Sequence, residues 1–208
     1  MRDFNVMPGT HLEHREKATC ACAARSLPAL WLTVLIFTSG QPPIVAAEER
    51  TMTLTLTSQA FRQNGEIPVE FTCQGADVSP PLAWSGVPAN TKSLALIVDD
   101  PDAPDPAAPK MTWVHWVLYN IPPTATRLAD GAAAQALPGG TLEGINDFKR
   151  AAYGGPCPPV GRHRYFHKLY ALDTVLPDLK GPSKAALEKA MQGHVLMHAE
   201  LIGTYQKR

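Results

Sequence analysis

Three groups of residues in this sequence have types and spacing that could bind a ligand or carry out chemistry. They are the acidic stretch "DDPDAPDP" (Asp99 to Pro106), His115 within "WVHW", and the loop and strand start "GGPCPPVGRHRY" (Gly154 to Tyr165). Carboxylates, imidazoles and a tyrosine hydroxyl can hold charge and can donate or accept hydrogen bonds. Brought together, these groups could bind a small polar ligand.

The acidic stretch follows an apolar run that reads as a buried strand, so Asp100 and Asp102 need partners if their carboxylates are buried. We expect each partner to be a histidine or an arginine. A calcium loop is disfavoured, because prolines interrupt the stretch and the glycine and distal glutamate of an EF-hand are missing. The alternative is a solvated turn in which prolines fix the backbone and aspartates hydrogen-bond to it.

The loop before the strand is rich in proline, at Pro156, Pro158 and Pro159. Because proline has no N–H group, this loop cannot cradle a nucleotide phosphate in the way a glycine-rich loop does. Its glycines could instead bring a rigid backbone close to a small ligand. Gly155 and Pro156 are therefore candidate ligand contacts.

Alternation along "RHRY" places His163 and Tyr165 on one face of a strand and Arg164 on the other. A tyrosine hydroxyl donates a hydrogen bond to an anion, and a protonated histidine also attracts it. His163 could alternatively be a structural histidine. We predict that Arg164 forms a salt bridge to Asp102. Asp100 could accept a hydrogen bond from one imidazole, which would fix the tautomer, favour the protonated form and leave the other ring N–H facing the anion. Alternatively, its carboxylate could contact the ammonium of a zwitterionic head group.

The elements that must position these residues are mostly strands. Period-two alternation predicts strands at "TMTLTLTS", "IPVEFTC", "TWVHWVLYNIP", "HRYFHKLYALD" and "HVLMHAELIGTY", and the apolar run "SLALIVDD" predicts a strand buried on both faces. In "TWVHWVLYNIP" the alternation places Trp113, His115, Val117 and Tyr119 on one face.

Only "SKAALEKAMQG" predicts a helix in residues 48–208, with Ser183 as its N-cap. Residues 122–161 read as a long irregular connection. We therefore predict a mainly β fold, an antiparallel β-sandwich.

The N-terminal region resembles a secretory signal. The apolar run from Leu27 to Phe37 is too short to span a bilayer, Arg25 precedes it, and Val45 and Ala47 occupy the small-residue positions of a cleavage site. We predict that residues 1–47 are a signal peptide, that residues 48–208 form a single domain, and that the protein is periplasmic or secreted. The alternative is an uncleaved membrane anchor.

Two cysteines, Cys73 and Cys157, remain after such cleavage. In an exported protein they could form a disulfide, and the alternative is two free thiols. The chain has 19 basic and 19 acidic residues and no run of lysine or arginine. This balance disfavours a nucleic-acid partner.

Taken together, "DPDAP", "WVHW" and "GPCPPVGRHRY" resemble the phosphatidylethanolamine-binding protein family, in particular its bacterial Raf-kinase-inhibitor-like branch. The resemblance runs from about Thr53 to Tyr205 and includes "FTCQGADVSPPLAWSGVP" and "GHVLMHAELIGTY". It implies a Greek-key sandwich of two antiparallel sheets with a few peripheral helices, and a pocket for phosphate or phosphoryl groups. The matching pocket residues are Asp100, Asp102, His115, His163, Arg164 and Tyr165.

The resulting hypothesis is an exported binding protein for a small phosphoryl or anionic ligand, with no cofactor. One alternative is a hydrolase-type enzyme that uses Cys157 as a thiol nucleophile or a metal held by two histidines and a carboxylate. Another is an inhibitor of a protease or another protein. Kinase inhibition does not transfer to an exported protein, nothing in the sequence supports binding to a membrane surface, and a homodimer remains open.

Overall fold

The structure is a computed structural model, in which residues 53–132 and 137–208 are described. The predicted signal peptide and the first two residues of "TMTLTLTS" lie outside these ranges. The strands are β1 (Thr55–Thr57), β2 (Gly65–Glu66), β3 (Leu82–Ser85), β4 (Ser93–Asp100), β5 (Trp113–Ile121), β6 (Arg127–Leu128), β7 (Leu142–Glu143), β8 (Arg162–Leu172) and β9 (Val195–Gln206). A 3₁₀ helix covers Val69–Phe71, and α1 covers Lys184–Met191.

The strands form two sheets in the described part of the chain, as the mainly β prediction requires. A small sheet has the order β1-β3-β6, and a large sheet has the order β2-β9-β8-β4-β5-β7. All pairs are antiparallel except the short pairing of β2 with β9. Apolar residues of both sheets pack between them, and a second apolar layer lies between the large sheet and α1. No helix among the described residues is long and apolar enough to cross a membrane.

Strand β4 lies between both apolar layers, which explains its continuous apolar sequence. Leu94, Leu96 and Val98 pack into the layer between the sheets. Ala95 and Ile97 pack into the layer beneath α1. Because side chains alternate along a strand, the two aspartates that end β4 must point to opposite faces of the large sheet.

The prediction of a strand over "IPVEFTC" is wrong. Only Gly65 and Glu66 pair with β9, and Val69–Phe71 form a 3₁₀ helix closed by a hydrogen bond from the Thr72 N–H to the Val69 carbonyl. Pro68, which has no N–H for a sheet ladder, precedes this turn. A turn precedes β2, with Asn64 in a positive-φ conformation.

Strand β5 was predicted correctly, but not the distribution of its side chains. Val98 pairs with Trp116 and Asp99 pairs with Val114, so His115 has no counterpart on β4. This is a β-bulge, which shifts the alternation by one residue. As a result Val117 and Tyr119 pack beneath α1 with Val114, while His115 faces the opposite side of the sheet.

The C-terminal elements agree with the sequence prediction. Burial alternates along β8, with His163, Tyr165 and His167 buried. The Ser183 hydroxyl caps α1 by accepting a hydrogen bond from the Ala186 N–H. The long irregular connection contains only the two-residue strands β6 and β7 where it is described.

Candidate ligand-binding site

The two aspartates at the end of β4 belong to two separate groups of polar side chains, one on each face of the large sheet. On the face of the sheet toward α1, Asp99 lies with Lys168 and Lys184; we name these three residues the helix-side cluster. On the other face, Asp100 lies with His163 and His115, and all three line one cavity; we name them the cavity-side cluster.

In the helix-side cluster both carboxylate oxygens of Asp99 are occupied. Lys168 Nζ donates to Oδ1 at 2.8 Å and to Oδ2 at 2.9 Å, and Lys184 Nζ also donates to Oδ2. Burial alone would lower the pKa of Lys184, but its hydrogen bond to Asp99 and the nearby carboxylates outweigh burial and raise it. The cluster is therefore a closed ion group with a structural role.

In the cavity-side cluster Asp100 accepts a hydrogen bond from His163 Nδ1 at 2.7 Å, as the sequence predicted. The second nitrogen, Nε2, lies 3.0 Å from the Val160 carbonyl and does not face an anion, so that part of the prediction is wrong. The Val160 carbonyl can only accept, so His163 Nε2 carries a hydrogen and donates it. His163 and Asp100 thus form a buried hydrogen-bonded pair in the cavity wall.

The bulge residue His115 is held through its backbone and its ring. Its Nδ1 lies 2.6 Å from the Gly154 carbonyl, and the Gly154 N–H donates to the His115 carbonyl. His115 is 3% exposed, and its Nε2 has no hydrogen-bond partner among residues 53–132 and 137–208. Burial lowers the pKa of His115, against the opposing effects of the Gly154 carbonyl and nearby carboxylates.

Asn146 is a positioning residue that the sequence reasoning missed. Its side-chain Nδ2 donates to the carbonyls of His115 and Ala152, and its Oδ1 accepts from the Arg150 N–H. The next residue, Asp147, accepts from the Val114 N–H beside the bulge. These bonds fasten residues 146–154 to β5, but the only signal in the sequence is an "ND" pair within an irregular segment.

The cavity has a volume of about 270 Å³ and a mostly apolar wall. The remaining lining residues are Ala103, Pro104, Met111, Trp113, Phe148, Cys157, Pro158 and Pro159. Met111 and Phe148 are partly exposed, so they mark the rim. A few polar groups below an apolar wall are typical of small-molecule sites.

Tyr165 is buried behind this surface and is not among the residues that line the cavity. Its ring packs edge-on against His115 with the ring centroids 5.2 Å apart. Its hydroxyl is buried without a hydrogen-bond partner in the described part of the chain. Burial and the charge of Asp100 raise the pKa of Tyr165, so the hydroxyl keeps its hydrogen and can donate it.

The predicted pairing of Asp102 with Arg164 is confirmed. Arg164 donates from Nε and from its terminal nitrogen to the two oxygens of Asp102, at 2.9 and 2.7 Å, and its backbone N–H also donates to this carboxylate. The hydrogen bond from Arg164 lowers the pKa of Asp102, although burial opposes it. Both oxygens of Asp102 are hydrogen-bonded, and the residue does not line the cavity. Asp102 therefore holds the loop after β4 in place.

Gly155 and Pro156 contact residues 71–77 and do not line the cavity. The Gly155 N–H donates to Asp77 Oδ1 at 2.6 Å, and a Cβ on Gly155 would lie 2.7 Å from the Phe71 carbonyl oxygen. The Pro156 carbonyl accepts from the Cys73 N–H. The close backbone approach predicted for this loop is thus made to residues 71–77, while the neighbouring Cys157, Pro158 and Pro159 form the cavity wall.

Cys73 and Cys157 form a disulfide, with their Cα atoms 5.4 Å apart. This resolves the alternative that the sequence left open. The bond joins the cavity wall to the segment before β3. In the described residues no group of three histidine, cysteine, aspartate or glutamate side chains is arranged to hold a metal.

Comparison with known proteins identifies a matching family profile and similar proteins. The profile of the family described as "Phosphatidylethanolamine-binding protein" matches residues 57–206. A UPF0098 protein of Methanothermobacter thermautotrophicus is 51% identical over 155 residues, which are 74% of this chain and 99% of the relative.

Two solved structures are similar over most of their length. The crystal structure of a putative phosphatidylethanolamine-binding protein homolog, CT736 from Chlamydia trachomatis, has a TM-score of 0.70 at 44% identity and covers 76% of this chain and 100% of its own. That of E. coli YbcL, described as a new member of the mammalian PEBP family, has a TM-score of 0.68 at 34% identity and covers 74% and 99%.

Proposed function

This chain belongs to the phosphatidylethanolamine-binding protein family, and on that premise we propose that it is an exported protein that binds a small phosphoryl or other anionic ligand. The ligand occupies the cavity lined by Asp100, His115 and His163. The family supplies a fold that binds ligands, and the cavity-side cluster of this chain supplies the chemistry.

One observation carries the proposal: His115 Nε2 is a buried polar atom at a cavity, with no partner in the described residues. Buried polar atoms in proteins are nearly always hydrogen-bonded. Because Nδ1 is held by Gly154, the ring cannot turn to find another partner. A ligand in the cavity would complete the bonding of Nε2.

The test is titration calorimetry with inorganic phosphate. His115→Phe keeps a ring of similar size and removes both nitrogens, and it should weaken phosphate binding by about 1–3 kcal/mol, the cost of an unmade buried hydrogen bond. His198→Phe is the matched control, because His198 is exposed and stacks on Tyr170 away from the cavity. Equal affinities of wild type and His115→Phe would refute the proposed site.

Export is supported by two independent features: the apolar run with its cleavage motif in residues 27–47 and the disulfide between Cys73 and Cys157. Disulfides persist mainly in oxidising compartments. The test is cell fractionation followed by mass analysis of the purified protein. We expect an extracytoplasmic protein that begins at Glu48, and a full-length cytoplasmic protein would contradict this part of the proposal.

The enzyme alternative is weakened by the same disulfide. A thiol nucleophile requires a thiolate, and the sulfur of Cys157 is bonded to Cys73. The metal variant would need both histidines as ligands. His163 has both nitrogens engaged, so it offers no ring nitrogen to a metal in this arrangement.

A further inference from the structure

The bonding of His115 determines which kind of hydrogen-bond partner its free nitrogen requires. The Gly154 carbonyl can only accept, so the 2.6 Å contact places the ring hydrogen on Nδ1. A neutral imidazole has one ring hydrogen, and its other nitrogen carries a lone pair. His115 Nε2 is therefore an acceptor, and its natural partner is a ligand atom that bears a hydrogen.

The two titratable neighbours of His115 in the cavity wall do not offer a substitute donor. Asp100 accepts from the Asp102 N–H and from His163 Nδ1. His163 Nε2 donates to the Val160 carbonyl. The Tyr165 hydroxyl makes no hydrogen bond to His115 Nε2 in the described residues. A ligand in the cavity, or a proton taken up by His115, is therefore the source of hydrogen that we consider.

Uptake of that proton is opposed by the surroundings of His115. The ring lies inside the protein, and burial lowers its pKa. The titratable groups around it are Asp100 of β4, Asp147 after β7, and His163, Tyr165 and His167 of β8, with Asp99 acting from the opposite face of the sheet. The three carboxylates favour a proton on His115, but they do not overcome burial.

From this geometry, and resting on the proposed function, we propose that the cavity selects oxyanions that carry a hydrogen over oxyanions that carry none. Inorganic phosphate keeps a hydrogen across the neutral pH range and can donate it to His115 Nε2. Sulfate and phosphate diesters, including the head group of an intact phospholipid, have no such hydrogen. They can bind only if His115 first takes up a proton.

This selection has a characteristic pH dependence. Above the pKa of His115, protonation of its ring costs a factor of ten for each pH unit, so the Kd for sulfate should rise tenfold per unit. Protonation of His115 should contribute little to any change of the Kd for inorganic phosphate with pH. Titration of any other protein group near the cavity affects both ligands. The second ionisation of phosphate affects the phosphate Kd alone and is known from free solution, so the ratio of the two Kd values, corrected for it, isolates the contribution of His115.

The experiment is titration calorimetry of the wild-type protein with inorganic phosphate, sulfate and dimethyl phosphate from pH 6 to pH 8.5. We expect phosphate to bind at least tenfold more tightly than sulfate or dimethyl phosphate at pH 8, and the ratio to grow with pH. Repeating the titrations in two buffers of different ionisation enthalpy should show uptake of one proton with sulfate. With phosphate it should show only the proton exchange that comes from the ionisation of phosphate itself.

Each outcome has a distinct meaning. A constant ratio, or equal binding of phosphate and sulfate, overturns the selection but leaves the proposed anion site intact. Tight binding of dimethyl phosphate overturns it in favour of a lipid head group. If none of the three ligands binds, the proposed function fails and the selection fails with it.

Two variants sharpen the result. Tyr165→Phe removes a buried hydroxyl that lies outside the cavity lining, and it should leave the ratio of the two Kd values unchanged. His115→Phe removes the acceptor and should bring the ratio close to one. If His115→Phe does not fold, the wild-type pH series still decides the question.

Discussion

The helix-side and cavity-side clusters begin at neighbouring residues of one strand, yet their hydrogen bonding differs. Asp99 accepts hydrogen bonds from the ammonium groups of Lys168 and Lys184, so both of its carboxylate oxygens are paired. Asp100 is paired with a histidine whose neighbour, His115, keeps a buried nitrogen without a partner in the described ranges. The alternation at the end of β4 thus separates a structural ion group from the proposed binding site.

The difference has an energetic consequence. Ion pairs that are buried and complete contribute to a stable fold, and removal of one partner is strongly destabilising. Buried polar atoms without partners reduce stability unless a ligand satisfies them. The helix side should therefore be sensitive in unfolding experiments, and the cavity side should be sensitive in binding experiments.

The largest expected effect is on the helix side. Asp99→Asn removes the negative charge and leaves Lys168 and Lys184 beside each other, 24% and 20% exposed. We expect the free energy of unfolding to fall by about 3–5 kcal/mol, the usual cost of breaking a buried ion group. Urea unfolding followed by circular dichroism measures this change.

The control is Asp173→Asn, which breaks the exposed ion pair with His194. Exposed pairs contribute little to stability, so its unfolding curve should overlay that of the wild type. If both variants are equally stable, the helix-side cluster does not have the structural role assigned to it.

A smaller effect is expected from a buried histidine near the cavity side. Neither ring nitrogen of His167 makes a hydrogen bond of acceptable geometry within the described residues, and burial lowers its pKa to about 4. Between its ordinary pKa near 6.5 and pH 4 the unfolded chain binds a proton that the folded protein does not. The free energy of unfolding should therefore fall by about 3 kcal/mol as the pH is lowered through this range.

His167→Leu should remove this contribution, so that its stability depends less steeply on pH than that of the wild type. His198→Leu serves as the control, because His198 is exposed. The measurement is urea unfolding at pH 7, 5.5 and 4. Parallel pH dependences for His167→Leu and the wild type would show that burial of His167 does not cost stability.

The sequence predicted the residues of the cavity-side cluster better than their bonding. Strand period correctly placed His163 and Tyr165 on one face of β8 and Arg164 on the other. The end of a buried strand correctly indicated that Asp100 and Asp102 need a histidine or an arginine as partner. These predictions succeed because alternation and burial are local properties of a strand.

The features that the sequence could not predict depend on long-range contacts. The bulge at His115 is defined only by the register between β4 and β5, and the bond from His115 to Gly154 joins residues far apart in the chain. The contact of Gly155 with Asp77 and the choice of a disulfide over free thiols likewise require the folded geometry. Such contacts leave no periodic signal in the sequence.

The last prediction tests the two clusters against each other through ligand binding. Asp100→Asn replaces the carboxyl partner of His163 Nδ1 with an amide, so the hydrogen-bonded pair in the cavity wall is disrupted. We expect phosphate binding to weaken by about 1–3 kcal/mol, measured by titration calorimetry. Asp99→Asn is the matched control, because it makes the same chemical change one residue away on the opposite face, and it should leave the Kd of the folded protein unchanged. Equal losses in the two variants would mean that the faces of the sheet do not separate structure from binding.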